Sequence, residues 1–361
     1  MLPGKEFFTW LLAAEECNLE KLPNFFIVGA PKCGTTTLYE TLRQHPQVFM
    51  PHDRRNYWHA KEPYYFCSEL IARPNLGVSS LPQYLDLFKS VTHQKRVGEA
   101  SALYLYSRLA AERIQQFCPA AKIIALVREP VAMMLSWHAD NLRHGHEDVS
   151  SFEHALELEG PRRLGKSLPP GAGYPDCLQY RAMATFSLQI ERYQRYFSGS
   201  QIKVILLDDL AANPRDAVSD ILDFLDLSST RHLQYQVHNE RVSISQGDLL
   251  KHKVKNWLRG FGIVRLAKEV LPLDLDRWLS IALRPLMSRS PIQSAPKPDF
   301  LADLQLQMRP EVERLSAVIR RDLSHWSLPF RSLEARTIPP PHFKKQSEIK
   351  TQMSYDDIRR L

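Results

Sequence analysis

The chain has 361 residues, 44% hydrophobic and 24% charged, long enough for two domains of about 100–200 residues each, although α/β sheets often run larger as one. Its formal net charge of +7 attracts anions, but no basic run interleaved with aromatics marks a nucleic-acid module, so a dedicated nucleic-acid role is set aside. Five cysteines, an odd number without CxxC spacing, argue against a disulfide framework or a zinc site and for a reducing compartment.

The first apolar run is FFTWLLAA at 7–14, bounded by Glu6 and by Glu15 and Glu16. It is too short to span a bilayer and poorly flanked for a signal peptide, so a packed or amphipathic leader helix is expected over 1–21 and a cytoplasmic, bacterial protein beyond it. Residues 25–38 then read FFIVGAPKCGTTTL, an apolar strand, a glycine loop and a helix start. Gly29 and Gly34 have the spacing of the phosphate loop GxxxxGK[ST], but Thr35 stands where that loop places its lysine, and the lysine has moved forward to Lys32. Backbone N–H groups from Gly34 to Thr37, the helix dipole and the hydroxyls of Thr35, Thr36 and Thr37 make a cradle for an anion other than a triphosphate. Cys33, near the helix N-terminus, is either a reactive thiol or, the favoured reading, a small side chain that fits there.

Glu62 is followed by Pro63, Tyr64, Tyr65 and Phe66, which would partly desolvate it; the alternative is a surface pair with Lys61. Glu99 either orients Lys32 or an acceptor, or is a buried structural acid. A second apolar strand, KIIALV at 122–127, ends in Arg128, and Pro130 marks a helix start that puts Ser136 about two turns along. Arg128 suits a dianion in the crevice of an open parallel sheet, or else pairs with a nearby carboxylate. Helix signals at 35–44, 131–142, 179–197 and 214–225 alternate with strands. The expected fold is therefore α/β, a doubly wound, mainly parallel sheet with a P-loop-like phosphate-binding loop and helices on both faces.

Residues 143–178 form a glycine- and proline-rich insertion suited to an acceptor mouth. His144 and His146 within it read as a solvated pair rather than metal ligands, lacking a third ligand. Asp208 and Asp209, after IKVILL, would be a magnesium-binding strand end in a nucleotide kinase or triphosphatase, a reading opposed by the missing lysine after Gly34. Residues 251–289 are basic and amphipathic and would pack on the core, cap the acceptor site or, last in order, touch a membrane surface. The polar stretch 337–361, holding Pro339 to Pro341, is expected to be a tail outside the domain at 22–336.

Together these stretches resemble sulfotransferases that use 3′-phosphoadenosine 5′-phosphosulfate. PKCGTTTL looks like their 5′-phosphosulfate loop, and Arg128-Glu129-Pro130 with Ser136 looks like their 3′-phosphate site. Lys61 to Phe66 and Gly98 to Ser101 are similar to segments of the heparan-sulfate type and its bacterial relatives. The resemblance spans most of 22–326, including the aromatic helix ending in Tyr193 and Phe197 and the closing RRDLSHW. It implies a metal-independent sulfuryl transfer to a hydroxyl or amine of a small-molecule or carbohydrate acceptor. Lys32 and Glu62 would be catalytic, and Lys32, Cys33, Gly34, Thr35, Thr36, Thr37, Arg128, Ser136 and Lys297 would bind the donor, with His59 and His138 as reserve bases. Ala102 replaces a frequent proline, and Ala100 replaces a lysine frequent in glycan-modifying members, which argues against a long polyanionic acceptor. A non-catalytic binding module on the same fold is the remaining alternative. Tyr57, Trp58, Tyr64, Tyr65 and Tyr104 are expected near the mouth, where they would suit a flat molecule or a sugar.

Overall fold

The computed structural model describes residues 22–53, 56–73, 76–228, 233–234 and 296–327. The leader at 1–21, the basic segment at 251–289 and the tail at 337–361 lie outside the described residues.

Five strands form one sheet: β1 (Phe25–Gly29), β2 (Val48–Phe49), β3 (Arg96–Ala100), β4 (Lys122–Val127) and β5 (Ile202–Leu206), in the order β2-β3-β1-β4-β5. Every pairing is parallel. All five residues of β1 are buried, as are all of β4 after Lys122, the continuous apolar pattern of a sheet covered by helices on both faces. Phe25 pairs with Gly98 of β3 on one side and Lys122 of β4 on the other. A Cβ at position 98 would stand 2.1 Å from the Phe25 ring and 2.4 Å from Met50 Sδ, so the glycine makes room for two core side chains.

From β1 the chain crosses to the edge strand β2, returns to β3 between the two, then passes to β4 and β5 on the other side of β1. The direction reverses between β1 and β4, and the crevice beyond their carboxyl ends is where open α/β sheets take ligands. Helix α1 (Thr35–Leu42) follows β1, the short α2 (Tyr57–Lys61) precedes Glu62, and α3 (Pro130–His144) follows β4.

The helix expected over 179–197 is broken. It runs as a short turn at Tyr180–Met183 and then as α4 (Phe186–Gln194). Gln189 Nε2 donates to the carbonyls of Ala182 and Met183, taking the place of the backbone bonds that the break removes. The insertion at 143–178 is folded on a buried ion pair, in which the two terminal guanidinium nitrogens of Arg162 donate to Glu147 at 2.7 Å and the Tyr180 hydroxyl donates to the same carboxylate.

After β5 the chain turns directly into α5 (Leu207–Ala212), so Asp208 and Asp209 sit in a first helical turn rather than at a strand end. Both are engaged with the chain's closing segment, which follows α6 (Pro298–Ile319): the buried Trp326 indole donates to Asp208 at 2.6 Å, and Arg321 pairs with Asp209. These contacts add to the case against the magnesium role weighed for the two aspartates in the rival kinase reading. They fasten the end of the domain to the sheet. Among the described residues no helix is long and apolar enough to cross a membrane.

Candidate anion-binding site

Two left-handed residues shape the loop after β1, Lys32 at φ 63° and Gly34 at φ 92°. Position 34 favours glycine twice over, because a Cβ there would also stand 2.9 Å from Leu207 Cδ1. No side chain caps α1, and its first intrahelical bond runs from the Leu38 N–H to the Gly34 carbonyl at 3.1 Å. The N–H groups of its first turn therefore present the positive end of the helix to the crevice. Thr35 is buried and Thr36 and Thr37 half-buried along this turn.

Cys33 does not face the crevice. Its thiol is fully buried and donates to the Pro31 carbonyl at 3.4 Å, its N–H bonds to Ala30, and burial pushes the thiol pKa up to about 12. Desolvation outweighs the helix terminus and the nearby Arg128 and Lys32, so the residue is a packing element rather than a reactive thiol or a side-chain ligand.

Arg128 stands just past β4 and donates from Nη1 to the carbonyl of Lys32 at 3.1 Å. The sequence places it there through Glu129, whose carboxylate accepts from the N–H groups of Val131 and Ala132 and caps α3, while Pro130 takes the first helical position. Ser136 lies on α3, half-buried. Four residues on, one turn along the same helix face, Asp140 forms an ion pair with Lys32, with Nζ and Oδ1 2.7 Å apart.

Sequence reasoning missed Asp140, though its spacing from Ser136 was a signal. Its other side is held by His144, whose Nδ1 is 2.9 Å from the Asp140 carbonyl and 3.3 Å from Oδ2. Burial raises the Asp140 carboxyl, but the hydrogen bond from His144 and the charge of Lys32 prevail and hold its pKa at about 2. His144 is raised in turn, chiefly by that hydrogen bond.

Glu62 lies beyond the neighbouring strand. The Tyr64 N–H donates to Ser101 Oγ at 3.1 Å, which ties this segment to the carboxyl end of β3, next to β1. The pair with Lys61 exists but is not on the surface: Lys61 is fully buried, its Nζ 2.5 Å from Glu62 Oε1 and 5.9 and 5.7 Å from the ring centroids of Tyr39 and Trp58. The Tyr64 hydroxyl donates to the other carboxylate oxygen. Tyr174, from the 143–178 segment, packs edge-on against Tyr64. Trp58 is 54% exposed and Tyr57 half-buried, its hydroxyl donating to Glu40 of α1.

The remaining expected participants sit on several elements. Tyr104 is buried in the core, and Tyr65 stacks on Tyr84. Glu99 is fully buried and accepts from the Tyr84 hydroxyl, with no contact to Lys32, and burial pushes its pKa up to about 7. His138 is buried and donates to the Val149 carbonyl, and His146 is tied to Gly171 and Gly173. Lys297 is exposed at the start of α6, with its N–H on Glu153. His59 is half-buried on α2.

A parallel sheet whose central strand ends in a glycine loop, with an arginine of the next strand bonded to that loop, defines a P-loop-like α/β protein suited to an anionic ligand. Residues 22–256 match the sulfotransferase domain model, and the chain belongs to that family. It is similar to the membrane-associated sulfotransferase kil1 of Dictyostelium discoideum, at 23% identity over 67% of this chain and 63% of that protein. Mouse carbohydrate sulfotransferase 15 is 28% identical over 58% of this chain and 45% of its own length. The chain thus spans less than two thirds of these curated relatives. A sulfotransferase crystal structure from Alicyclobacillus acidocaldarius covers 85% of this chain and 99% of its own at 27% identity, with a TM-score of 0.59.

Proposed function

We propose that the chain transfers a sulfuryl group from 3′-phosphoadenosine 5′-phosphosulfate to a hydroxyl or amine of a small-molecule or carbohydrate acceptor. The observation that carries this reading is the junction of Lys32 and Arg128: one cation belongs to the loop after β1, the other leaves β4, and the Arg128 guanidinium donates to the Lys32 backbone carbonyl, joining the two segments. A donor with phosphates at both its 5′ and 3′ positions needs two such centres; a triphosphate needs a lysine after Gly34, which is Thr35 here.

The residues fit that donor. The first turn of α1, with Gly34, Thr35, Thr36, Thr37 and Lys32, would hold the 5′ side, and Arg128 with Ser136 the 3′-phosphate. Lys297, exposed at the start of α6, is a further phosphate contact in this reading. The bound donor supplies an activated sulfuryl group on a phosphate leaving group. Lys32 and the α1 N-terminus neutralise negative charge developing on the leaving oxygen, which is electrostatic preorganisation and asks for no metal. Glu62 takes the acceptor's proton as the acceptor atom bonds to sulfur.

The exposed Trp58 beside Glu62 offers a platform for a sugar ring or a flat molecule, and the similarity to carbohydrate sulfotransferase 15 supports a carbohydrate. Ala100 is buried, so position 100 brings no cation to an acidic glycan. A cytoplasmic, bacterial enzyme is part of the same reading. It is supported by cysteines without paired spacing and by the likeness to the Alicyclobacillus protein.

Calorimetry tests the proposal: 3′,5′-adenosine bisphosphate against ADP and ATP, with and without magnesium. Metal-independent preference for the bisphosphate is expected, followed by transfer of radiolabelled sulfate in an acceptor screen. Preference for ATP with magnesium would sink it, and no nucleotide binding would favour a non-catalytic module.

A further inference from the structure

The ion pair between Lys32 and Asp140 has no role in the mechanism above, yet it occupies the ammonium on which that mechanism relies. Lys32 Nζ is 2.7 Å from Asp140 Oδ1, and both side chains are about four-fifths buried. Asp140 stands one turn beyond Ser136 on α3, and the Lys32 carbonyl is held by Arg128, so the lysine's backbone is fastened to one centre of the crevice while its ammonium is held at another. We propose that Asp140 is a positioning residue for Lys32. It keeps the ammonium ordered against α3 and surrenders it to the incoming anion. This rests on the sulfotransferase reading.

The exchange is feasible because Asp140 has a second partner already in place. His144 Nδ1 lies 3.3 Å from Oδ2 and is anchored on the Asp140 carbonyl at 2.9 Å, so the carboxylate stays paired when the lysine departs. The backbone around Lys32 is fixed by the Arg128 bond and by its left-handed conformation, so the movement belongs to the side chain alone. Without Asp140, the ammonium would be free to meet an anion at once, but it would have several orientations rather than one. Tighter product binding and slower transfer are the expected signature, a split that simple loss of packing does not produce.

The experiment uses Asp140→Asn, Lys32→Ala and the double variant of the full chain, with thermal unfolding to confirm that each is folded. Mass spectrometry of ligand-free protein treated with trinitrobenzenesulfonate reads the pair directly: labelling of Lys32 is expected to rise several-fold in Asp140→Asn, because the side chain is no longer held against α3 and is open to the reagent. Affinity for 3′,5′-adenosine bisphosphate is expected to rise, and kcat to fall by about tenfold, in Asp140→Asn, with the kcat effect absent in the Lys32→Ala background. Unchanged labelling, or an equal kcat loss in both backgrounds, overturns this inference alone. A wild type that binds no bisphosphate overturns the sulfotransferase reading and this inference with it.

Discussion

The guanidinium of Arg128 donates to the backbone carbonyl of Lys32 at 3.1 Å, joining the end of β4 to the loop after β1. Arg128 therefore shapes the cradle as well as contributing charge. Arg128→Ala is expected to weaken bisphosphate binding by about 1.5–3 kcal/mol, the usual worth of hydrogen bonds to a charged group. Arg128→Lys should recover little of this, because an ammonium cannot reproduce the planar fork that reaches a phosphate and a carbonyl together. Calorimetry on both variants checks it; full rescue by lysine would show that charge alone matters.

Either substitution breaks the buried pair between Glu62 and Lys61 and costs folding stability, and only Glu62→Gln also removes the base. Glu62→Gln should lower kcat by about 10²–10⁴-fold and leave bisphosphate affinity unchanged, as expected of a lost general base. Lys61→Met instead leaves the Glu62 carboxylate facing a buried apolar group, so the expected cost is about 3–5 kcal/mol in folding. Denaturant melts read the folding cost of each variant, and kcat of the folded protein isolates the loss of the base. A Glu62→Gln enzyme of full activity would move the base elsewhere, with the half-buried His59 next in line.

The buried Glu99 makes stability depend on pH. Its pKa is raised by burial to about 7 from an ordinary 4.5, so between those values the folded chain holds a proton that the unfolded chain has released. Its contribution is complete below about pH 4.5 and is lost as pH rises through 7, amounting to about 3 kcal/mol at most. Glu129, buried and likewise pushed up to about 7, works in the same direction. Glu99→Gln should flatten part of the decline in melting temperature between pH 5 and 8; an unchanged slope would mean that Glu99 is ionised throughout.

Asp208 offers a test against the magnesium reading. Asp208→Ala strips the buried Trp326 indole of its acceptor, for an expected stability loss of about 1–3 kcal/mol, with nucleotide binding retained and insensitive to magnesium. Loss of a magnesium-dependent activity in this variant would revive that reading.

Local chemistry alone determined a large part of this protein. The alternation of apolar strands with helix starts, the glycine spacing after β1 and the proline after Arg128 are short-range features, and each specifies its backbone without distant help. The strand at 122–127 and the helix start at Pro130 were legible for that reason. Tertiary structure decided how side chains pair across the crevice. Cys33 points into the core because the left-handed residues on either side turn it there, and burial then overrides the helix dipole. Lys61 sinks beneath Tyr39 and Trp58 rather than lying on the surface, and Tyr104 is a core residue although its neighbours in the sequence suggested a mouth. Asp140 meets Lys32 from 108 positions away, and Asp208 meets Trp326 from 118. Those contacts depend on strand order and helix placement, which arise only when the whole sheet is assembled.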